Sequence, residues 1–330
     1  MTKIRMGLLG AGRIGKVHAA AIASISDAQL VAVGDAFPEA AKALAASTGA
    51  EVRDVEAIIN AKDIDAVLIT TPTDLHATMI EQAARAGKAI FCEKPIDLDL
   101  ARVKACLDVV TKEKALLMVG FNRRFDPNFM EVRRQIEAGA VGTVEMVSIT
   151  SRDPGPPPLD YIKRSGGLFR DMMIHDFDMA RFLLGEEPVS VYATASVLVD
   201  PAISTAGDVD SAAVILTTKS GKICQINNSR RATYGYDQRV EVHGSKGLVS
   251  AENMRETTVE VATGAGYTRE PLMNFFMTRY TAAYRNEISA FIAALKAKTD
   301  MNPSGNDGLK ALLLADAAAL SVKEGRVVAV

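Results

Sequence analysis

A short apolar run, IRMGLLG, leads into the loop GAGRIG, where Gly10, Gly12 and Gly15 stand in GxGxxG spacing at the head of an apolar helical stretch reaching about Ser24. No other feature narrows the possible folds as much. A glycine-rich turn between a strand and a helix reads as the start of a βαβ unit. The first glycine permits the tight turn, the second lets backbone approach a pyrophosphate, and the third allows close helix–strand packing. The amides and macrodipole at the helix N-terminus favour negative charge there. Asp35 follows about 20 residues after Gly15, at the end of the strand LVAVGD. A carboxylate at that position accepts both ribose hydroxyls and repels a 2′-phosphate, which selects NAD over NADP. The alternative is a glycine-rich turn that binds nothing, but strand, helix, spacing and acid together favour the dinucleotide.

The pattern continues as alternating elements. PEAAKALAAST is helical, AVLITT strand-like, HATMIEQAARAG helical, AIFCEK strand-like, LARVKACLDVVTKEK helical and ALLMVGF strand-like. Continuously apolar strands separated by short helices predict a doubly wound parallel sheet covered on both faces. We assign residues 1–120 to this NAD-binding Rossmann domain. Beyond it, VGTVEMVSIT, VSVYATASVLV, DSAAVILTT, KICQINNSR, RVEVHGS and TTVEVAT alternate with period two. They predict an α+β domain over 121–330 with a large, mainly antiparallel open sheet. A helix over about 167–184 is expected on its inner face. Two helices, roughly 275–298 and 306–324, close the chain, with Asn306 as N-cap and Gly325 as the stop.

The remaining composition excludes more than it assigns. A net charge of −2 over 330 residues offers no electrostatic case for nucleic acid or anionic membrane. Cys92, Cys106 and Cys224 are scattered and never in CxxC spacing, which suggests reduced thiols without a disulfide framework or structural zinc. No apolar run reaches membrane length, and Arg13 and Lys16 interrupt the first apolar patch before a signal could form. The expectation is a cytoplasmic protein.

Ligands in open parallel sheets bind beyond the carboxyl ends of the strands. Thr71, Pro72 and His76 occupy one such end, and His76 reads either as a cofactor neighbour or as a surface residue at a helix start. Lys94, in FCEKP, follows a buried strand, so its ammonium is either merely solvated or placed near the nicotinamide. The coenzyme set is therefore Gly10, Gly12, Arg13, Ile14, Gly15, Asp35, Thr71, Pro72, His76, Glu93 and Lys94. The least ordinary stretch is GGLFRDMMIHDFDMARFLLG, residues 166–185. As a helix it is apolar nearly all round, yet Asp171, His175 and Asp178 share one face. Such groups need partners or a wet cavity. They read either as a satisfied polar network or as a general base oriented by a carboxylate. A single histidine without HxxxH spacing or nearby cysteine argues against a metal.

AGRIG, TPTDLHA, EKP, GFNRRFDP and GGLFRDMMIHDFD, in this order, resemble the Gfo/Idh/MocA oxidoreductase family over essentially the whole chain. DMMIHDFD, YGYDQR and AAYRNEISAF are similar, more narrowly, to its inositol dehydrogenases. The resemblance implies NAD-dependent oxidation of myo-inositol to 2-keto-myo-inositol. Other openings are scyllo-inositol, an aldose or hexopyranose, or a nucleotide-sensing protein without catalysis. It implies Lys94, Asp171 and His175 as catalytic residues: His175 as general base, Lys94 stabilising the alkoxide and Asp171 orienting the imidazole. Arg123, Asp153, Asp178, Tyr236 and Tyr284, with the catalytic three, fall at positions that line the polyol site. The chain departs from the family at Ser151-Arg152-Asp153 and in the proline-stiffened loop PGPPPLDYIKRSGG, both beside the expected pocket. Few charges on VYATASVLV and AAVILTT point to sheet-to-sheet homo-oligomers, dimers or tetramers.

Overall fold

The computed structural model describes residues 3–330. It divides into two compact units, Met1–Phe125 with Thr281–Leu312, and Asp126–Tyr280 with Leu313–Val330. A division into 1–120 and 121–330 therefore misses one return of the chain. The segment 281–312 joins the first unit, where the Asn286 side chain donates to the carbonyl of Phe125 at 3.1 Å and the Val119 N–H to that of Pro303 at 3.0 Å.

In the first unit β1 (Ile4–Leu9), α1 (Arg13–Ala23), β2 (Ala28–Gly34), α2 (Pro38–Thr48), β3 (Glu51–Val52), α3 (Val55–Asn60), β4 (Ala66–Ile69), α4 (Thr73–Arg85), β5 (Ala89–Glu93), α5 (Leu100–Lys112) and β6 (Leu117–Gly120) follow in sequence. The six strands pair in parallel in the order β3-β2-β1-β4-β5-β6. This is the doubly wound arrangement expected from the alternation. Every residue of β4, β5 and β6 is buried, as the unbroken apolar runs required. The short β3 and α3 escaped the sequence reading because neither is long enough to show a period.

The second unit holds α6 (Pro127–Glu137), β7 (Val144–Arg152), α7 (Leu159–Ser165), α8 (Ile174–Leu184), β8 (Pro188–Ser196), α9 (Ala202–Thr205), β9 (Ser211–Thr218), β10 (Ile223–Ser229), β11 (Asp237–Gly244), β12 (Gly247–Ala251), β13 (Glu260–Thr263), β14 (Gly266–Arg269) and α10 (Phe276–Arg279). After α11 (Thr281–Ala297), α12 (Gly305–Glu324) crosses the unit boundary and β15 (Val328–Ala329) ends the chain. Seven strands form a sheet in the order β12-β11-β7-β10-β9-β8-β15, antiparallel except for β7 beside β10. One face buries Val147, Ile149, Val214, Leu216, Ile226, Val240 and Val242, and α8 packs on its β7 and β10 strands.

Several sequence expectations are corrected. TTVEVAT does not join the sheet. Among the described residues its strand β13 pairs only with β14, and every residue of that hairpin is exposed, so alternation there has no buried side to serve. The single helix over 166–185 is interrupted. Gly166 and Gly167 both take positive φ, and a Cβ on Gly167 would lie 2.5 Å from an oxygen of Asp208. The same carboxylate accepts the Leu168 N–H at 2.9 Å. Leu168–Met172 then form one wide π-type turn, closed by the Met173 N–H on the Leu168 carbonyl at 2.8 Å, before α8 begins. The helix expected over 275–298 is broken at Tyr280 between α10 and α11. Asn306 is not the cap of α12. Ser304 and Asp307 exchange capping bonds, the Ser304 N–H donating to Asp307 at 2.7 Å and the Asp307 N–H to Ser304 Oγ at 3.4 Å. Gly325, at φ 65°, does end that helix.

One buried ion pair organises the entry to the second unit. Asp126 caps α6 by accepting the N–H groups of Asn128 at 3.1 Å and Phe129 at 3.3 Å. It also accepts Arg279 Nη2 at 3.2 Å, and both side chains are about 1% exposed. Asp126→Ala is expected to lower stability by about 3–5 kcal/mol, because it strands a buried guanidinium. Urea denaturation measures the loss.

Candidate active site

The three glycines of the opening loop carry three different constraints. Gly10 has φ 106°, and a Cβ there would come within 2.7 Å of the Thr70 carbonyl. On Gly15 a Cβ would lie 2.1 Å from the Gly10 carbonyl oxygen, so α1 can approach β1 this closely only without a side chain. Among the described residues, nothing beyond the adjoining chain comes within 4 Å of a Cβ on Gly12. That leaves backbone open to a ligand, at the N-terminus of a helix with no side-chain cap. Arg13 is exposed and Ile14 half-buried in the same first turn. Asp35, half-buried at the end of β2, accepts the Ala11 N–H at 2.6 Å and the Phe37 N–H at 2.7 Å. The acid is thus fixed against the loop it was expected to serve. The residues fit a dinucleotide: a glycine cradle, free helix amides and an anchored carboxylate beside it.

β1 and β4 are neighbours from which the sheet winds in opposite directions, and their carboxyl ends form the switch point where such sheets bind ligands. Thr70 ties these ends, donating from Oγ1 to the carbonyls of Leu9 at 3.0 Å and Gly10 at 2.8 Å. Thr71 and Pro72 follow in the turn before α4. His76 is not a surface residue at a helix start but is 2% exposed. Its Nδ1 lies 2.8 Å from the Pro95 carbonyl oxygen and its Nε2 2.8 Å from that of Thr71. The ring therefore clamps the β4 turn to the segment after β5. Burial pulls its proton affinity below the ordinary imidazole value, against the opposing pull of the two carbonyls.

Lys94 is half-buried immediately after β5, and its peptide bond to Pro95 is cis. Glu93 takes a different direction from a coenzyme contact at the surface. It is 8% exposed, packs under Gly120 of β6, and brings Oε1 to 2.6 Å from His18 Nε2 on α1. Arg123 is buried in a 3-10 turn, Asn122–Phe125. Tyr284 is buried on α11 with its ring edge-to-face on His18 at 5.5 Å.

In the second unit, Asp171 sits in the wide turn and His175 at the start of α8, both half-buried. The Tyr161 hydroxyl, on α7 within the proline-stiffened segment, donates to Asp171 Oδ1 at 2.9 Å. Asp178 is 1% exposed and pairs with Arg181 at 3.5 Å, and Arg181 also binds Glu187 at 2.7 Å. Asp176, absent from the sequence-based set, is fully buried and accepts from Asn228 Nδ2 at 2.9 Å. Tyr236 is buried against Phe275 and Tyr280, and the Asp153 N–H bonds the Ser229 carbonyl at 2.9 Å. Sequence reasoning also passed over His18, Glu287 and Tyr161. For His18 a signal existed: it lies three residues after Gly15 on the inward side of an amphipathic helix. For Glu287 there was none, because its neighbours are remote in sequence; for Tyr161 there was none, because the turn at Gly166 and Gly167 that brings it to Asp171 follows no helical period. Burial raises the thiols of Cys92, Cys106 and Cys224 above their ordinary range, so none offers a reactive thiolate.

Residues 4–121 match the oxidoreductase family, NAD-binding Rossmann fold, and residues 129–250 match the GFO/IDH/MocA C-terminal domain. An inositol 2-dehydrogenase of Rhizobium meliloti is 68% identical over 99% of both chains. A crystal structure of a myo-inositol dehydrogenase from Corynebacterium glutamicum is 42% identical, with TM-score 0.96 over 99% of both chains. A scyllo-inositol dehydrogenase from Lactobacillus casei, solved with bound NAD(H) and scyllo-inositol, is 29% identical, with TM-score 0.92 over 99% of both. The likeness to the two solved relatives thus runs over nearly the whole length of each chain. The chain belongs to the Gfo/Idh/MocA family of oxidoreductases, and its first unit is that family's NAD-binding Rossmann fold.

Proposed function

We propose that the protein oxidises myo-inositol to 2-keto-myo-inositol. NAD+, held by the glycine cradle and Asp35, would supply the acceptor for the hydride that leaves the substrate carbon. His175 takes the proton of the hydroxyl on that carbon, so that the C–H and O–H bonds break and a C=O bond forms. Lys94 stabilises negative charge developing on the oxygen, and Asp171 holds the imidazole in the tautomer that leaves one nitrogen free to accept. Arg123, Asp153, Asp178, Tyr236 and Tyr284 supply donors and acceptors for a ring on which every carbon bears a hydroxyl. The coenzyme residues are those of the glycine cradle with Asp35, the Thr71–Pro72 turn, His76 and Lys94 at the strand end, whereas the side chain of Glu93 turns inward to His18.

The observation that carries this reading is the end-to-end likeness to a relative named inositol 2-dehydrogenase. The half-buried Asp171 on the wide turn and His175 at the start of the buried helix that follows support it. NADH formation with myo-inositol tests it against scyllo-inositol and a panel of aldoses. A preference for one of the other sugars moves the assignment to that sugar. NAD binding without turnover of any of them leaves a nucleotide sensor.

The outer face of the second sheet carries exposed Tyr192 and Ile215 on the adjacent β8 and β9, with Met146 on β7 and Leu248 on β12 further along it. We assign it to a second copy of the chain in a homotetramer. Light scattering is expected to give four chains, and Ile215→Lys to reduce that number.

His175→Ala is expected to abolish turnover while NAD binding, read by calorimetry, stays nearly intact. Lys94→Ala is expected to lower kcat by about 10²–10³-fold, the range for losing one donor to a developing oxyanion. Asp35→Ser combined with Ala36→Arg is expected to move preference from NAD toward NADP, measured as the ratio of kcat/KM for the two coenzymes.

A further inference from the structure

His18, Glu93 and Glu287 meet in the interior of the first unit. They come from α1, the end of β5 and α11. His18 and Glu287 have no measurable exposure and Glu93 only 8%. One ligand-type atom from each lies within 4.8 Å of the others. The walls are aromatic: Phe91 and Tyr284 meet the His18 ring edge-on at 5.1 and 5.5 Å, and Phe91 stacks edge-on with Phe291 at 5.9 Å. His18 Nε2 is 2.6 Å from Glu93 Oε1, which places a proton between them. Among the described residues neither oxygen of Glu287 has a hydrogen-bond partner, nor has His18 Nδ1.

Two occupants could reconcile these groups. A cation held tetrahedrally at about 2 Å would hold its ligand atoms roughly 3.3 Å apart, well beyond the observed 2.6 Å contact. A proton fits instead. Two carboxylates so close in an apolar box cannot both ionise. Burial, together with the neighbouring charge of Glu93, pushes Glu287 well above the usual carboxylate range. A neutral Glu287 is a hydrogen-bond donor, and Glu93 is within one side-chain adjustment or one water of it.

We propose that Glu287 is a resident neutral acid which, with His18, locks the Glu93 carboxylate and so positions the adjacent Lys94. The unit rests on the catalytic reading of Lys94 given above and assigns Glu287 a positioning role in it. Its logic is geometric. Glu93 is covalently next to Lys94, its partner His18 rides on the helix whose N-terminus forms the dinucleotide cradle, and Glu287 stands one turn after Tyr284 on α11. One proton-sharing cluster therefore ties together the coenzyme helix, the lysine strand end and a tyrosine at a polyol position.

Infrared difference spectra of the intact protein at neutral pH test the proton. The wild type is expected to show a protonated-carboxyl C=O band that Glu287→Gln lacks. No such difference means that Glu287 is ionised and overturns the proposal. Steady-state kinetics test the positioning. Glu287→Ala is expected to lower kcat by about 10–100-fold, the range for a slight misplacement of a reacting group. The KM for NAD should change far less, and Glu287→Gln, which keeps a neutral donor, should restore kcat. A Glu287→Ala protein that folds with unchanged kcat refutes the role. If it does not fold, a Glu287→Gln enzyme as impaired as Lys94→Ala also refutes it. The spectra need no substrate, so they stand even if every polyol fails as a substrate.

Discussion

The first unit is built on the contact between Gly15 and the carbonyl of Gly10. Any side chain at position 15 would enter that oxygen at 2.1 Å, so α1 lies as close to β1 as backbone allows. From this approach the other contacts follow in order. The Gly10 N–H reaches the Gly34 carbonyl at 2.8 Å, the Ala11 N–H reaches Asp35, and Thr70 closes on the carbonyls of Leu9 and Gly10. The carboxyl ends of β1, β2 and β4 are thereby fixed to one another before any ligand is considered. A preorganised cradle loses little freedom on binding, which is the physical value of so rigid a turn.

Polar groups buried beyond that cradle extend the same rigidity to the chemical end of the sheet. His76 joins the turn after β4 to the segment after β5, and His18 joins α1 to the last residue of β5. Lys94 lies between these two anchors in the chain, on a strand end flanked by fixed neighbours. Burying imidazoles and carboxylates costs free energy unless each finds a partner. Placing them in contacts that connect separate elements uses that cost to define geometry.

The second unit reaches an equivalent result with different means. Paired glycines and Asp208 stop one helix and start another; the wide turn between them carries Asp171, three residues before α8, and the first turn of α8 carries His175. Asp178, Asp176 and Arg181 are all committed to partners in the same helix–sheet layer. Family models match segments of both units, residues 4–121 and 129–250, and the likeness to the Rhizobium meliloti relative extends over 99% of the chain.

The sequence by itself determined the doubly wound sheet, the glycine cradle, the place of Asp35 at the end of the second strand and the change to a mainly antiparallel sheet. These rest on local spacing and on strand and helix periods, which are written along the chain. It also singled out the polar face of 166–185, though as one continuous helix. Only the tertiary structure decided the rest. The return of 281–312 to the first unit, the clamp at His76, the capping of α12 by Ser304 and Asp307, and the meeting of His18, Glu93 and Glu287 all join residues whose partners no local period reveals. The hairpin of β13 and β14 makes the same point in reverse: its alternation was plain, but whether a face is buried depends on what packs against it.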